Sequence, residues 1–262
     1  MAMAATQAKL MSDHPFAQAD ADWLSLIGMA RNWFKGPYGQ LLLAEEYRLL
    51  EDELARFFGG YLVHYGPSAA APGATQIQRS VRLGAPFAGV EIVCEEQAWP
   101  LGEHAADLVL LQHGLDFSLS PHGLLREAAR SVRPGGHLVV IGINPISIWG
   151  VRHLFSRDAL RQARCIAPGR VSDWLRLLGF ALEKRRFGCY RPPLASRAWQ
   201  ARLAPLEAWG DAWQSPGGGF YLLVARKLVV GLRPLRKSQR APMGQLVPMP
   251  VAKVSRRDSE QH

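Results

Sequence analysis

The fold of this chain is decided by two stretches, DLVLLQ at residues 107–112 and SPHGLLREAARSVRPGGHLVVIGI at residues 120–143. The first is a mostly apolar run, as expected of a strand that is covered on both faces. In the second, Ser120 and Pro121 are typical of a helix start, and Arg133-Pro134-Gly135-Gly136 is expected to break the helix before a new strand at 137–143. Strand, helix and strand within about 40 residues predict a βαβ unit with a right-handed crossover.

The same alternation of elements extends outward from this unit. Further strands are predicted at 61–65, 81–83, 90–94, 180–187 and 220–226, and a helix at 171–178, capped by Ser172. Two amphipathic helices are predicted before the first strand, at 20–35 and 38–58. The sequence therefore predicts a doubly wound α/β sheet with a helical N-terminal extension.

Composition excludes several classes of protein. The chain has 262 residues, of which 48% are hydrophobic, so a packed core is expected and disorder throughout is not. No apolar run approaches the roughly 18 residues that span a bilayer, and Met1–Phe16 does not resemble a signal peptide. The three cysteines form no CxxC pair, and the eight histidines show no ligand spacing, so neither a disulfide framework nor a metal site is expected. These features favour a reduced, cytoplasmic protein with no membrane partner, and Cys94 is expected to be a small buried core residue.

Charge is distributed unevenly. The formal net charge of +9 arises from residues 151–202 and from the C-terminal end, whereas residues 1–150 are mildly acidic. The central basic segment predicts an anionic partner, either a small molecule or a nucleic-acid backbone. The small anion is favoured because no recognisable RNA-binding module is present, although a solvated basic face would show the same pattern.

Three motifs carry a resemblance to a known family. They are Trp99-Pro100-Leu101, Asp107–His113 and, most specifically, Leu125–Val140, which includes the Arg-Pro-Gly-Gly sequence. Together they resemble the class I S-adenosylmethionine-dependent methyltransferases of the methyltransferase type 11 kind, over residues 60–226. The resemblance implies a seven-stranded, mainly parallel sheet with an antiparallel last strand.

A more specific likeness is to the bacterial YafS-like branch of methyltransferase-type proteins. The two N-terminal helices, GINPISIWG at 142–150 and DWLRLLGF at 173–180 are similar to that branch. The implied organisation is a helical extension over 1–59, a class I methyltransferase-like domain over 60–228, and a basic, proline-containing tail over 229–262 that is expected to be disordered.

The resemblance also implies a site for S-adenosyl-L-methionine. The implied cofactor-binding residues follow the first, third and fourth strands: Tyr65, Gly66, Pro67, Glu95, Glu96, Gln112 and His113. The first motif departs from the family pattern, because His64 stands at its acidic position and Ser68 and Ala70 stand where glycines are usual. The acidic residue that normally ends the second strand is also missing near Leu83-Gly84, and the spacing leaves little room for the family's first helix.

Candidate substrate residues are Asn144, Trp149 and Arg152, which follow the fifth strand. Asn144 and Arg152 also have a purely structural interpretation, since Asn-Pro is common in turns and arginines commonly form a solvated face. Three functions therefore stay open: a methyltransferase acting on an anionic acceptor, a degenerate methyltransferase-like domain that serves as a binding or regulatory module, and a nucleic-acid-binding protein.

Overall fold

A seven-stranded sheet forms the centre of the computed structural model, which describes residues 21–68, 76–194 and 197–229. The strand order is β3-β2-β1-β4-β5-β7-β6, and only β7 runs antiparallel to its neighbours. The strands are β1 (Gly59–Tyr65), β2 (Ile77–Gly84), β3 (Ile92–Val93), β4 (Ala106–Gln112), β5 (Val132–Ile143), β6 (Phe180–Gly188) and β7 (Phe220–Lys227). This arrangement confirms the predicted fold class.

Helices flank the sheet on both faces. They are α1 (Ala21–Lys35), α2 (Pro37–Leu54), α3 (Pro121–Ser131), α4 (Ile148–Phe155), α5 (Pro168–Leu177), α6 (Arg197–Arg202) and α7 (Ala204–Trp213), with a short 3₁₀ helix at Ala159–Gln162. The two N-terminal helices and α3 lie where the sequence predicts them. The sequence analysis did not predict α4, the 3₁₀ helix, α6 or α7. No helix of the described residues is long and apolar enough to cross a membrane.

The strands divide their side chains between two hydrophobic cores, because successive residues of a strand point to opposite faces. On one face, Leu62, Leu108 and Leu110 pack in a core with apolar side chains of α1 and α2. On the other face, Val63, Val109 and Leu111 pack in a core with α3 and α5. The N-terminal helices are thus one of the two layers that cover the sheet.

This covering layer compensates for the short connection between β1 and β2. Only eleven residues separate Tyr65 from Ile77, which leaves little room for the helix that the family resemblance places between these strands. The face of β1 and β4 that such a helix would cover is packed against α1 and α2 instead. A segment that precedes the sheet in sequence therefore supplies part of its core.

The structure corrects two local predictions. Arg133–Gly136 does not separate helix from strand, since β5 begins at Val132, directly after α3. These four residues bulge out of the strand, because Ala106 and Leu108 of β4 pair with Val132 and His137, and Gly135 adopts a φ of 79°. Ser172 does not cap a helix either: α5 begins at Pro168, and the Ser172 hydroxyl donates to the Pro168 carbonyl 2.7 Å away. The predicted disordered tail lies outside the described residues from position 230 onward.

Replacing Leu50 with Ala tests whether the N-terminal helices belong to the sheet's cooperative unit. Leu50 is fully buried between α2 and the sheet, so the substitution should lower the free energy of unfolding by about 2–5 kcal/mol. Leu177→Ala is the matched control, because Leu177 also lies on a helix but is 85% exposed, and its change should stay within about 0.5 kcal/mol. Urea unfolding monitored by circular dichroism measures both. A separate early transition that alone shifts in Leu50→Ala would show that the helices form an independent domain.

Candidate functional site

Polar side chains accumulate where β1 and β4 end. The two strands are adjacent and parallel, and Tyr65 at the end of β1 pairs with Leu111 of β4. Both strands therefore end at the same edge of the sheet. Ligands of open α/β sheets bind outside this carboxyl edge. His64 and Gln112 lie on the sheet face that is covered by α1 and α2, since they share the parity of Leu62 and Leu110 in their strands.

Gln112 is the hub of a buried hydrogen-bond network. Its amide nitrogen donates to Glu46 of α2 at 2.7 Å. Its amide oxygen accepts from the Ser68 hydroxyl at 3.0 Å and from His64 Nε2 at 3.1 Å. All four side chains are completely buried, and the network connects α2, β1 and β4. The half-buried Tyr47 of α2 also bonds to Ser68 and Gln112.

His113 extends this network through two carboxylates. Its Nε2 donates to Glu46 at 2.6 Å and its Nδ1 donates to Asp116 at 2.9 Å, while the same Asp116 oxygen accepts from the backbone N–H of Ile143. Burial alone would lower the pKa of His113. The charge of Glu46 and the hydrogen bonds to Asp116 and Glu46 outweigh burial and raise that pKa to about 10. His113 is therefore an imidazolium held between two buried carboxylates.

His64 has the opposite electrostatic environment. Complete burial, with a contribution from the positive charge of Arg82, lowers the pKa of His64 to about 3. The ring is therefore neutral, with its proton on Nε2 facing Gln112, and its buried Nδ1 accepts no hydrogen bond from any residue that the structure describes. At the position where the resembling family has a carboxylate, this chain has an uncharged ring.

The remaining cofactor candidates fall into two groups. Tyr65 is buried and stacks on Trp99, with ring centroids 5.4 Å apart. Pro67, two residues further along the chain, is also buried. Gly66 is required by close packing, since a side chain there would overlap the carbonyl oxygen of Gln112. These three residues hold the end of β1 against β4.

Glu95 and Glu96 follow β3 and have different environments. Glu96 is buried, and accepts hydrogen bonds from the Ser118 hydroxyl at 2.6 Å and from the backbone N–H of Ser120 at 2.8 Å. Glu96 thus accepts a hydrogen bond from the backbone N–H of Ser120, the N-cap residue of α3, whose own side chain makes no capping hydrogen bond. Glu95 is exposed and remains accessible to a ligand.

The three substrate candidates hold the connections around α4. Asn144 is buried and donates to the carbonyls of Pro216 and Gly218 at 2.6 and 2.8 Å. Trp149 is buried with its indole N–H on the Arg191 carbonyl at 3.0 Å. Arg152 is half-buried, lies over the Tyr38 ring at 4.1 Å and pairs with Asp158 at 3.7 Å. The structure does not bring these three residues together with the Gln112 network.

Sequence reasoning missed Glu46 and Asp116. Glu46 had a usable signal, because it lies on the apolar stripe of α2 four residues after Leu42 and four before Leu50. A carboxylate on a buried stripe needs a partner. Asp116 had no such signal, since it lies in the irregular segment between β4 and α3. Among the described residues, no group of three or more histidine, cysteine, aspartate or glutamate side chains is placed to hold a metal ion. Cys94 is buried, as expected, and burial raises the pKa of its thiol to about 12.

Comparison with known proteins agrees with this architecture. Residues 68–140 match the family model described as a methyltransferase domain. The chain is also similar to a structure of an S-adenosylmethionine-dependent methyltransferase from Thermotoga maritima, with a TM-score of 0.54, 18% identity, and coverage of 79% of this chain and 98% of that one. The chain has the class I methyltransferase fold. It is 29% identical over 218 residues to the uncharacterized protein YafS of Escherichia coli K12, covering 80% of this chain and 87% of YafS.

The described residues differ in how well they suit the two ends of S-adenosylmethionine. At the end of β3, where the resemblance predicts the adenosine end to bind, Glu95 is exposed. At the ends of β1 and β4, the side chains of Ser68, Gln112 and His113 are buried and bonded to one another or to Glu46. Gln112 and His113, which the resemblance assigns to the cofactor, are therefore engaged in hydrogen bonds within the protein.

Gly66→Ala should destabilise the protein whether or not a ligand binds. The new methyl group would overlap the Gln112 carbonyl, and overpacking of this kind costs at least about 2 kcal/mol. Gly102→Ala is the control, because Gly102 is exposed and a methyl group there would have nothing within 4 Å, so its effect should stay within about 0.5 kcal/mol. Chemical denaturation of both variants measures the difference, and equal stabilities would contradict the close approach of β1 to β4.

His113→Gln and His64→Gln should change the pH dependence of stability in opposite directions. Because its pKa is raised on folding, protonated His113 stabilises the fold fully below about pH 6.5, and this contribution is lost as the pH rises toward 10. The stability lost in His113→Gln should therefore shrink between pH 6.5 and 10. Because the pKa of His64 is depressed, the wild type should lose stability relative to His64→Gln as the pH falls below 6.5. Urea unfolding from pH 4.5 to 10 gives both slopes, and parallel curves for all three proteins would refute the assigned charges.

Proposed function

We propose that this protein is an S-adenosylmethionine-dependent methyltransferase whose acceptor is anionic. The observation that carries the proposal is the strand order β3-β2-β1-β4-β5-β7-β6 with antiparallel β7, together with the methyltransferase domain match over residues 68–140. The bound cofactor would supply an electrophilic methyl group. Such a transfer depends mainly on positioning and exclusion of water, so a dedicated base is not required.

The anionic acceptor is supported by the chain between β5 and β6. Residues 151–170 contain five arginines and a single aspartate. Four of these arginines are exposed: Arg157, Arg161, Arg164 and Arg170. Guanidinium groups bind phosphate and carboxylate through paired hydrogen bonds, which favours an acceptor that carries such a group.

A second candidate function is a methyltransferase-like binding module without catalysis. It is favoured by one observation, the closed network of Glu46, His64, Ser68, Gln112 and His113 at the ends of β1 and β4. This network is made by an acidic residue from α2 and by replacements in the first motif, and it occupies side chains that the family resemblance assigns to the cofactor.

Isothermal titration calorimetry with S-adenosylmethionine and S-adenosylhomocysteine separates the two functions. The methyltransferase is expected to bind both ligands, and Glu95→Gln should weaken binding about tenfold through loss of a charged hydrogen-bond acceptor. Glu103→Gln is the matched control, since Glu103 is an exposed glutamate that precedes β4 at the opposite edge of the sheet, and it should bind as the wild type does.

Absence of heat at millimolar ligand would overturn the enzyme proposal and is the result expected of the binding module. In that case Glu46→Ala becomes informative, because it removes the carboxylate that holds Gln112 and His113. Binding gained by this variant would show that the network itself excludes the cofactor.

A further inference from the structure

Helices α4 and α7 dock on the same short loop after β6. The Trp149 indole of α4 donates to the Arg191 carbonyl at 3.0 Å. The Glu207 carboxylate of α7 accepts from the backbone N–H groups of Cys189 and Tyr190 at 2.7 and 2.9 Å. Because β5 and β6 both end opposite Phe220, where β7 begins, the two helices lie at one edge of the sheet.

Helix α4 turns an apolar face to solvent. Within it only Trp149 and Gly150 are buried. Its exposed large apolar side chains, with Ile146 just before it, are Ile146, Ile148, Val151, Leu154 and Phe155, the last of which is 80% exposed. Soluble proteins rarely expose a contiguous apolar group of this size without a binding role.

Helix α7 adds exposed aromatic side chains at the same edge. Trp209 and Trp213 are one helical turn apart, their ring centroids lie 5.6 Å from each other, and both are about 70% exposed. Leu206 is also exposed on this helix. Tryptophan favours the boundary between water and lipid, because its ring is apolar and its N–H group is polar.

Exposed arginines follow α4 directly. Arg157, Arg161 and Arg164 lie within ten residues of Phe155, and Arg164 keeps its charge while it donates to the carbonyls of Ser118 and Leu119 at 2.7 and 3.0 Å. A nucleic acid would explain the arginines and the tryptophans, but leaves the aliphatic side chains Ile148 and Leu154 in water. An uncharged apolar partner would explain the aliphatic side chains, but leaves the arginines unused. An anionic bilayer surface accounts for both, since it offers acyl chains below a layer of negative headgroups.

We propose that the edge formed by α4, α7 and the arginines of residues 157–164 binds the surface of membranes that contain anionic phospholipid. The contact is peripheral, with Phe155 and the Trp209–Trp213 pair inserted at headgroup depth. The sequence predicted no membrane partner, because no apolar run is long enough to span a bilayer and helix α4 was not predicted. The proposed surface departs from that prediction. The proposal shares Arg157, Arg161 and Arg164 with the proposed acceptor site, but it does not depend on cofactor binding, because none of its residues belongs to the Gln112 network.

Vesicle sedimentation with the full-length protein tests this surface. Vesicles of phosphatidylcholine with 30% phosphatidylglycerol should bind the protein, and vesicles of phosphatidylcholine alone should bind it at least about tenfold more weakly. Phe155→Ser should lower binding to the anionic vesicles about tenfold, because one inserted aromatic ring is lost. Phe58→Ser is the matched control, since Phe58 is 76% exposed but precedes β1 at the opposite edge.

Tryptophan quenching by brominated lipid then locates the contact. Quenching should occur with a Trp199→Phe protein and be largely lost when Trp209→Phe and Trp213→Phe are added. Of the five tryptophans that then remain, Trp23, Trp33, Trp99 and Trp149 are buried, and Trp174 is half-buried against His122. The proposal is overturned by absence of binding to anionic vesicles, or by equal binding of the Phe155→Ser and Phe58→Ser variants, which would assign the binding to another basic part of the chain. The proposal is also overturned if the protein does not bind vesicles and the Phe155→Ser substitution instead converts a dimer into monomers.

Discussion

The buried carboxylate of Glu46 is the constraint on which the rest of the structure depends. A charge placed completely inside a protein must be paired and hydrogen-bonded, because desolvation otherwise costs several kcal/mol. Glu46 meets this requirement only if α2 lies across the ends of β1 and β4, where Gln112 and His113 donate to its two oxygens. The apolar stripe of α2 provides most of the packing energy, and Glu46 determines the register in which the helix packs.

The same interaction changes the character of the sheet's carboxyl edge. In an open α/β sheet this edge is where a ligand finds free backbone and side-chain groups. Here His113, Asp116 and the Ile143 N–H extend the network from β4 to β5, and the two carboxylates are paired with His113 inside the protein. Accessible polar and apolar groups are found further out, at Glu95 on one side and around α4 and α7 on the other.

The sequence predicted the sheet well because its signals are local. The stretch 108–111 is apolar throughout, and Ser120-Pro121 is typical of a helix start, so β4 and α3 were placed to within one residue. Helix α4 was not predicted, because five of its eight residues are apolar although only Trp149 and Gly150 are buried. Its sequence therefore lacks the pattern of apolar and polar residues that marks a helix with one buried face. The site was predicted only in part, since Gln112 and His113 were recognised by their position after β4. Of their partners, Glu46 lies on the apolar stripe of α2, a local signal that was overlooked, whereas Asp116 is defined by tertiary contacts that no local pattern contains.

The packing of α1 and α2 on the sheet has a consequence for synthesis of the chain. These helices are the first described elements to leave the ribosome, yet their core includes Phe220, Leu222 and Val224 of the last strand. Their apolar stripe stays incompletely covered until β7 has been made and inserted between β5 and β6. Contacts between such distant segments slow folding and prolong the exposure of apolar surface, which promotes aggregation. The nascent protein therefore depends more than most domains of its size on protection from aggregation until translation ends.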